Sequence, residues 1–243
     1  IMFSSIWHNL FFDPVYNTLV FFIDVIPRGD VGLAIIATVL VVKTILLPIS
    51  IKAVKTQKVM REIEPKLKEL REKHKNDRQA QSQAMMAVYQ EAGMNPLASI
   101  FLIFLQIPIV IALYFSVYKG GGVPLPNINI DILYSFVSEP VLVTMNFLSV
   151  IDISEKSILL ALAAGVTQFI HVNLTMPKLP PKEEGVEPNL KDDFMRNMQT
   201  QMRFVMPVLI TIVAYTISAA IALYFLVSNL TMIAQEYFVK KHR

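Results

Sequence analysis

Lys43 is the residue whose position most strongly indicates chemistry. It lies inside the apolar run Val31–Ile51, which contains no acidic residue to neutralise it. A cation at membrane depth costs about 2.5–3.5 kcal/mol on insertion scales, so by default it marks a functional site that attracts polar or anionic groups. A second interpretation stays open. Lys43 is eight residues from the end of the run, about 12 Å at helical rise, and a lysine stem can extend part of that distance toward the interface.

Uncharged polar residues in the other apolar runs could share the cost of this charge. Together they would line a hydrated cavity around Lys43, which we prefer to simple extension of the side chain toward the interface. The set comprises Gln106, Gln168, Asn173, Tyr215, Thr216, Ser218, Ser228 and Asn229.

No group of residues indicates catalysis. The chain has no cysteine, which excludes a disulfide framework and a thiolate metal site. Its four histidines show no metal-ligand spacing, and no Ser, His and Asp residues group together. The glycines at 120–122 follow no strand and form no phosphate loop. We therefore predict that the protein is not an enzyme and uses no metal or other cofactor.

The composition is that of an integral membrane protein. Of 243 residues, 54% are hydrophobic and only 17% are charged, with a mean hydropathy of +0.51, whereas soluble domains have about 25% charged residues. About 20 apolar residues cross a bilayer, and three runs of that length precede a fourth, Phe204–Gln235, with 32 residues and no charge. The first residues have neither a basic start nor a small-residue cleavage site, so we predict no cleavable signal peptide.

The distribution of charge predicts how often the chain crosses. Residues 52–95 hold ten basic and six acidic side chains, and the C-terminal tail is also basic, whereas 1–30 and 119–157 are acidic. Because cytoplasmic segments carry the excess of Lys and Arg, the fourth run must cross twice, turning near Thr216–Ala219. We predict an all-α protein with five spans, its N-terminus outside and its C-terminus in the cytoplasm.

The predicted segments are an outer-surface amphipathic helix (1–30), span 1 (31–51), a cytoplasmic helical hairpin (52–95), span 2 (97–118), an outer loop with an interfacial segment (119–156), span 3 (157–176), a cytoplasmic loop (177–203), span 4 (204–216), span 5 (218–238) and a cytoplasmic tail (239–243).

Apolar residues at helical spacing within 52–95 predict two antiparallel helices standing off the membrane. Because proline disrupts a helix interior, Pro65 is expected to open the first of them. Methionines cluster on this side of the membrane, among them Met60, Met85 and Met86. Core packing would explain them, but methionine also adapts to varied apolar partners. A surface of such methionines would capture varied hydrophobic segments as substrates, and core packing stays open as the alternative.

Four stretches of sequence make the chain resemble a known family. They are VVKTILLPISIK, REIEPKLKELREKHKNDRQAQSQAMMAVYQEAGMNPL, FLIFLQIPIVIALY and ALYFLVSNLTMIAQEY. In this order they strongly resemble the YidC/Oxa/Alb family of membrane protein insertases, in its compact five-span bacterial form. The similarity runs collinearly from about Ile6 to Phe238.

The resemblance implies an insertase and chaperone of a bacterial plasma (inner) membrane that acts without ATP. It implies a hydrophilic groove in the inner leaflet, open to the cytoplasm and to lipid, with a cation that is usually arginine and here would be Lys43. The polar wall of the groove would include Gln106, Gln168 and Asn229. The apolar path for substrate would include Ile170, Leu223, Phe225 and Leu226. The implied partners are nascent membrane protein segments and membrane lipid, with the ribosome and the Sec translocon as further candidates, and no small-molecule substrate.

Two other functions compete with this interpretation. A small-solute or proton-linked transporter could use Lys43 as a titrating site, although transporters usually contain internal repeats and none is visible. A scaffold of a larger translocation complex, without insertase activity of its own, is the third possibility.

Overall fold

The computed structural model describes residues 2–75, 77–93, 97–119, 122–176 and 190–241. Its helices are α1 (Met2–Trp7), α2 (Asp13–Val25), α3 (Val31–Lys73), α4 (Arg78–Glu91), α5 (Leu97–Tyr118), α6 (Ile158–Thr175), α7 (Leu190–Ile217) and α8 (Ala219–Lys241), and its two short strands are β1 (Asn146–Phe147) and β2 (Ile151–Asp152). The predicted loop 177–203 lies outside the described residues as far as residue 189.

The described part of the chain is an all-α membrane protein, as predicted. Four of its helical stretches are long and apolar enough to cross a bilayer: Val31–Thr56, Ile158–Thr175, Thr200–Ile217 and Ala219–Val239. Helix α5 has 22 residues and contains the shorter apolar stretch Phe104–Tyr118.

Helix α3 is longer than predicted and does not begin again at Pro65. It continues for 43 residues through both Pro48 and Pro65, so the prediction that Pro65 opens a separate helix is wrong. A proline removes one helical hydrogen bond, and the Lys, Glu and Leu residues that surround Pro65 are strong helix formers that sustain the helix on both sides. The candidate membrane span in α3 ends at Thr56 instead of Ile51, and its added residues include Lys52 and Lys55.

The chain divides into two compact units. The first contains Ile1–Thr44 and Ile107–Ala234, and the second contains Ile45–Gln106 and Gln235–Arg243.

In the first unit, the N-terminal helices pack on the loop that follows α5. Helices α1 and α2 are joined by a π-helical turn, His8–Phe12. Phe12, Tyr16 and Val20 form a buried cluster with Val137 of the loop. Asn17 is 1% exposed; its amide nitrogen donates to the Ile132 carbonyl, 2.9 Å, and its oxygen accepts from the Tyr134 nitrogen, 2.6 Å. These bonds satisfy loop backbone groups that burial would otherwise leave unpaired.

Residues 142–155, here named the cap segment, lie at the beginning of α3. They contain β1 and β2, which pair antiparallel. The backbone of Thr144 pairs with that of Asp30, just before α3. A Cβ at Gly29 would overlap the Leu142 carbonyl oxygen, and one at Gly32 would overlap the Phe147 ring. Glycine is thus required where the cap segment approaches the helix.

Helices α6, α7 and α8 form the packed part of the first unit. Gly165 of α6 lies where a Cβ would overlap the hydroxyl of Thr211 in α7, the small-residue contact that lets membrane helices approach closely. Ser218 is the single residue between α7 and α8. It lies inside the interval in which the charge pattern places a turn.

The second unit contains the remainder of α3 and α4. Leu67 and Val88 are buried, at 4% and 5% exposure. The Lys66 ammonium lies 2.9 Å from the Glu91 carboxylate in an exposed ion pair. Asp77 begins α4, its side chain accepting from the Gln79 and Ala80 nitrogens. Farther along, the Gln235 amide donates to the Ser50 hydroxyl, 2.7 Å.

Candidate functional site

Lys43 lies near the middle of the candidate membrane span in α3. Twelve residues separate it from Val31 and thirteen from Thr56. At 1.5 Å per residue, either end of this stretch is about 18–20 Å away. The part of this stretch beyond Ile51 contains the exposed residues Lys52 and Lys55, so the interpretation of Lys43 as a side chain that extends to the interface stays open.

His171 of α6 lies within electrostatic range of Lys43. Its Nδ1 atom is buried and has no hydrogen-bond partner. The sequence gives His171 no role at the site, because the four histidines show no metal-ligand spacing. The signal that could have found it is its spacing: His171 is three residues after Gln168, so the two share one face of α6.

The polar residues predicted to line the site lie in different surroundings. Gln168 is half-buried on α6. Asn229 is 4% exposed, and its amide nitrogen donates to the Ala164 carbonyl, 3.2 Å, and contacts the Thr167 hydroxyl, 3.4 Å. Its side chain therefore joins α8 to α6. Gln106 belongs to the second unit.

An apolar cleft of about 460 Å³ opens beside α8 in the first unit. Leu223 and Leu226, both predicted to contact substrate, line it. Phe225 is half-buried, and Ile170 on α6 is 42% exposed and does not line the cleft. The complete lining is Ile36, Leu40, Phe147, Leu160, Leu223, Leu226, Val227, Leu230, Thr231 and Ala234.

The methionines predicted to receive substrate lie in the second unit. Met86 of α4 is 51% exposed, whereas Met60 and Met85 are half-buried. An exposed methionine can contact apolar partners of varied shape.

The chemistry available at this site is electrostatic and hydrophobic. Lys43 can attract a carboxylate, and the cleft can exclude water from an apolar chain. Among the described residues, no group of three or more His, Cys, Asp or Glu side chains could hold a metal ion.

The family model described as "60Kd inner membrane protein" matches residues 22–243. Several curated proteins are similar over nearly the whole chain. "Membrane protein insertase YidC 1" of Halalkalibacterium halodurans is 29% identical over 240 residues, covering 97% of this chain and 79% of that protein. "Membrane protein insertase YidC 2" of Bacillus anthracis is 29% identical, covering 98% and 82%.

Longer relatives also match. "Membrane protein insertase YidC" of Geobacter sulfurreducens is 27% identical over 235 residues, which are 97% of this chain but only 38% of that protein. The chain is thus similar to proteins of the predicted family along almost its entire sequence. The chain belongs to the 60Kd inner membrane protein family, as its resemblance to YidC proteins indicates.

Proposed function

We propose that this protein is a membrane protein insertase and chaperone that acts without ATP and performs no covalent catalysis. The family membership and the printed names of the relatives support insertion as the activity. The observation that carries the proposal for this chain is Lys43, a cation near the middle of the candidate membrane span Val31–Thr56 of α3. A charge inside an apolar span is costly and by default marks a functional site.

In the proposed mechanism, Lys43 attracts an acidic or polar part of the incoming segment. His171 shares the electrostatic environment of Lys43, and Gln168, on the same face of α6, offers an amide that can donate or accept hydrogen bonds. In surroundings of low dielectric, attraction between opposite charges is stronger than in water. This attraction offsets part of the cost of bringing a hydrophilic tail into the membrane.

The apolar part of the substrate would be accommodated separately. The cleft lined by Leu223 and Leu226 has an apolar surface, and the half-buried Phe225 and the exposed Ile170 extend the apolar surface of α8 and α6. Contact with these side chains would guide the segment from the charged site into lipid. Met60, Met85 and Met86 would make the first contact with the substrate before it enters the membrane.

The proposed setting is the plasma (inner) membrane of a bacterium, with the N-terminus outside and the C-terminus in the cytoplasm. The distribution of basic residues supports this orientation, since 52–95 and the tail are basic. Nascent membrane protein segments are the proposed partners, together with membrane lipid, and the ribosome and the Sec translocon are proposed as further partners.

Reconstitution into liposomes tests the proposal. The substrate is a single-span protein with a short acidic N-terminal tail, added without ATP, and protease protection of the tail measures insertion. We expect protection to rise several-fold above that of protein-free liposomes. Equal protection with and without the protein would contradict insertase activity. Flux of a small solute that depends on Lys43, without insertion, would favour a transporter instead.

A further inference from the structure

The cap segment is bound to the ends of several membrane helices. The Tyr118 hydroxyl, at the end of α5, donates to the Ser154 carbonyl, 3.1 Å. The Ala219 and Ala220 nitrogens, at the beginning of α8, donate to the Glu155 and Ile153 carbonyls, 2.7 Å and 3.0 Å. The cap segment therefore joins α5 and α8 at one end of the first unit.

Asp30 provides the connection to α3. Its Oδ1 atom accepts from the Leu33 nitrogen, 3.0 Å, and its Oδ2 atom accepts from the Leu148 nitrogen, 2.8 Å. Around this carboxylate, the Val31 nitrogen donates to the Thr144 carbonyl, 3.0 Å, and the Thr144 nitrogen donates to the Gly29 carbonyl, 2.8 Å. Asp30 is 7% exposed, so both oxygens make charge-assisted bonds in a largely buried setting.

The bond to Leu33 alone would describe an ordinary helix cap, a role that serine performs equally well. The bond to Leu148 is different, because it reaches a residue 118 positions away in the chain. A helix needs no such contact in order to begin. The bond of the second oxygen to Leu148 therefore acts on the cap segment and not on the beginning of α3.

We propose that Asp30 is a positioning residue whose second carboxylate oxygen holds the cap segment closed over the end of the helices, sealing the interior around Lys43 against water and ions. A polar interior that opens for substrates at one end must stay closed at the other, or the membrane would leak. The need for a seal rests on the proposed function, but the seal itself is measured without substrate.

The absence of cysteine from the sequence allows a direct test. Thr38 of α3 is 1% exposed and lies eight residues after Asp30, about 12 Å at helical rise. With Thr38→Cys as reporter, a membrane-impermeant thiol reagent is applied in turn to each side of vesicles. Val150→Cys, at a cap residue that is 81% exposed, identifies the side on which the cap lies.

The test variant is Asp30→Ser, which keeps a helix cap but loses the bond to Leu148. We expect the reporter to react from the cap side at least about tenfold faster than in the parent, since a hydrogen bond to a charged group contributes that factor or more. Protons should also leak faster into vesicles containing a pH-sensitive dye. The matched control is Asp131→Ser, at an exposed aspartate of the same loop, which should leave both rates unchanged.

Asp30→Asn is the second variant if Asp30→Ser does not fold. It retains the shape of the side chain but turns an amide donor toward one of the two backbone donors. A thermal midpoint and normal labelling of Val150→Cys establish that each variant is folded. The proposal would be overturned if Thr38→Cys stayed unlabelled in the folded Asp30 variants. It would also be overturned if Thr38→Cys were labelled in the parent, or if it were labelled as fast in Asp131→Ser as in the Asp30 variants. Insertion activity enters none of these readouts, so a failed seal and a failed insertase are distinguishable.

Discussion

The side-chain amide of Asn229 in α8 donates a hydrogen bond to the backbone carbonyl of Ala164 in α6, at 3.2 Å. The residue is 4% exposed, and the carbonyl already serves the helical backbone of α6. This contact places Asn229 in the packing of two membrane helices. The contact therefore indicates a structural role for Asn229, which differs from the groove-wall role that the resemblance implies.

Replacing Asn229 by alanine should therefore lower stability more than it lowers insertion. Hydrogen bonds between membrane helices contribute on average about 0.6 kcal/mol and at most about 1.7 kcal/mol, so we expect a loss in this range in a denaturant titration in detergent. The control is Asn173→Ala, because Asn173 is exposed and bonds to Phe169 within α6. If Asn229→Ala abolished insertion and left stability intact, the groove-wall role would be correct.

Neutralising Lys43 should impair insertion in a way that depends on the substrate. In Lys43→Gln, substrates with acidic tails should insert at least about tenfold more slowly, equivalent to roughly 1.4 kcal/mol of lost electrostatic attraction, whereas Lys43→Arg, which keeps the charge, should retain activity. Initial rates of protease protection in proteoliposomes measure the effect.

Lys52→Gln is the control for this series, because Lys52 is exposed on the same helix nine residues later. With substrates whose tails carry no charge, the insertion rates of the Lys43 variants should differ much less. Equal rates for all three residues at position 43 with acidic tails would mean that the lysine only extends toward the interface.

Enlarging Gly165 should push α6 and α7 apart. A Cβ at this position would overlap the Thr211 hydroxyl and approach the Pro207 carbonyl oxygen at 3.2 Å. Overpacking of this kind costs about 1–3 kcal/mol, and thermal unfolding in detergent would measure the loss for Gly165→Ala. The double variant Gly165→Ala with Thr211→Ala should recover part of it, because the overlapping hydroxyl is gone. Additive losses in the double-mutant cycle would show that the two positions do not interact.

The buried side chain of Leu67 should stabilise the second unit more than the exposed ion pair between Lys66 and Glu91 does. Leu67→Ala removes a side chain that is 4% exposed and should cost about 2 kcal/mol or more. Lys66→Ala breaks an exposed ion pair with Glu91 and should cost less than about 1 kcal/mol. Hydrogen exchange of α4 amides in the intact protein measures both. Greater loss of protection in Lys66→Ala than in Leu67→Ala would contradict this order.

The sequence predicts those features that depend on local pattern. Apolar runs of span length and the asymmetry of Lys and Arg are enough to predict an all-α membrane protein, and a charge inside such a run identifies Lys43. The sequence does not predict the continuation of α3 through Pro65, because a proline ordinarily disrupts a helix interior whereas the helix-forming residues around this one sustain the helix.

Features that join distant parts of the chain could not be predicted. The bond from Leu148 to Asp30 crosses 118 positions, and the nearness of His171 to Lys43 joins α6 to α3. Neither pairing follows from spacing within one helix, which places His171 on the face of Gln168 but does not indicate its nearness to Lys43. Asn229 illustrates the same limit, since its polarity is visible in the sequence but its bond to Ala164 is not.

The bonds from Ala219 and Ala220 to the Glu155 and Ile153 carbonyls have a consequence for the biogenesis of this protein. The first amide groups of a helix lack partners within it, and in a membrane they cannot be left without any. The residues that accept them are translated more than sixty positions before α8 emerges from the ribosome. Helices α7 and α8, separated only by Ser218, can therefore enter as one hairpin whose tip meets acceptors that are already in place.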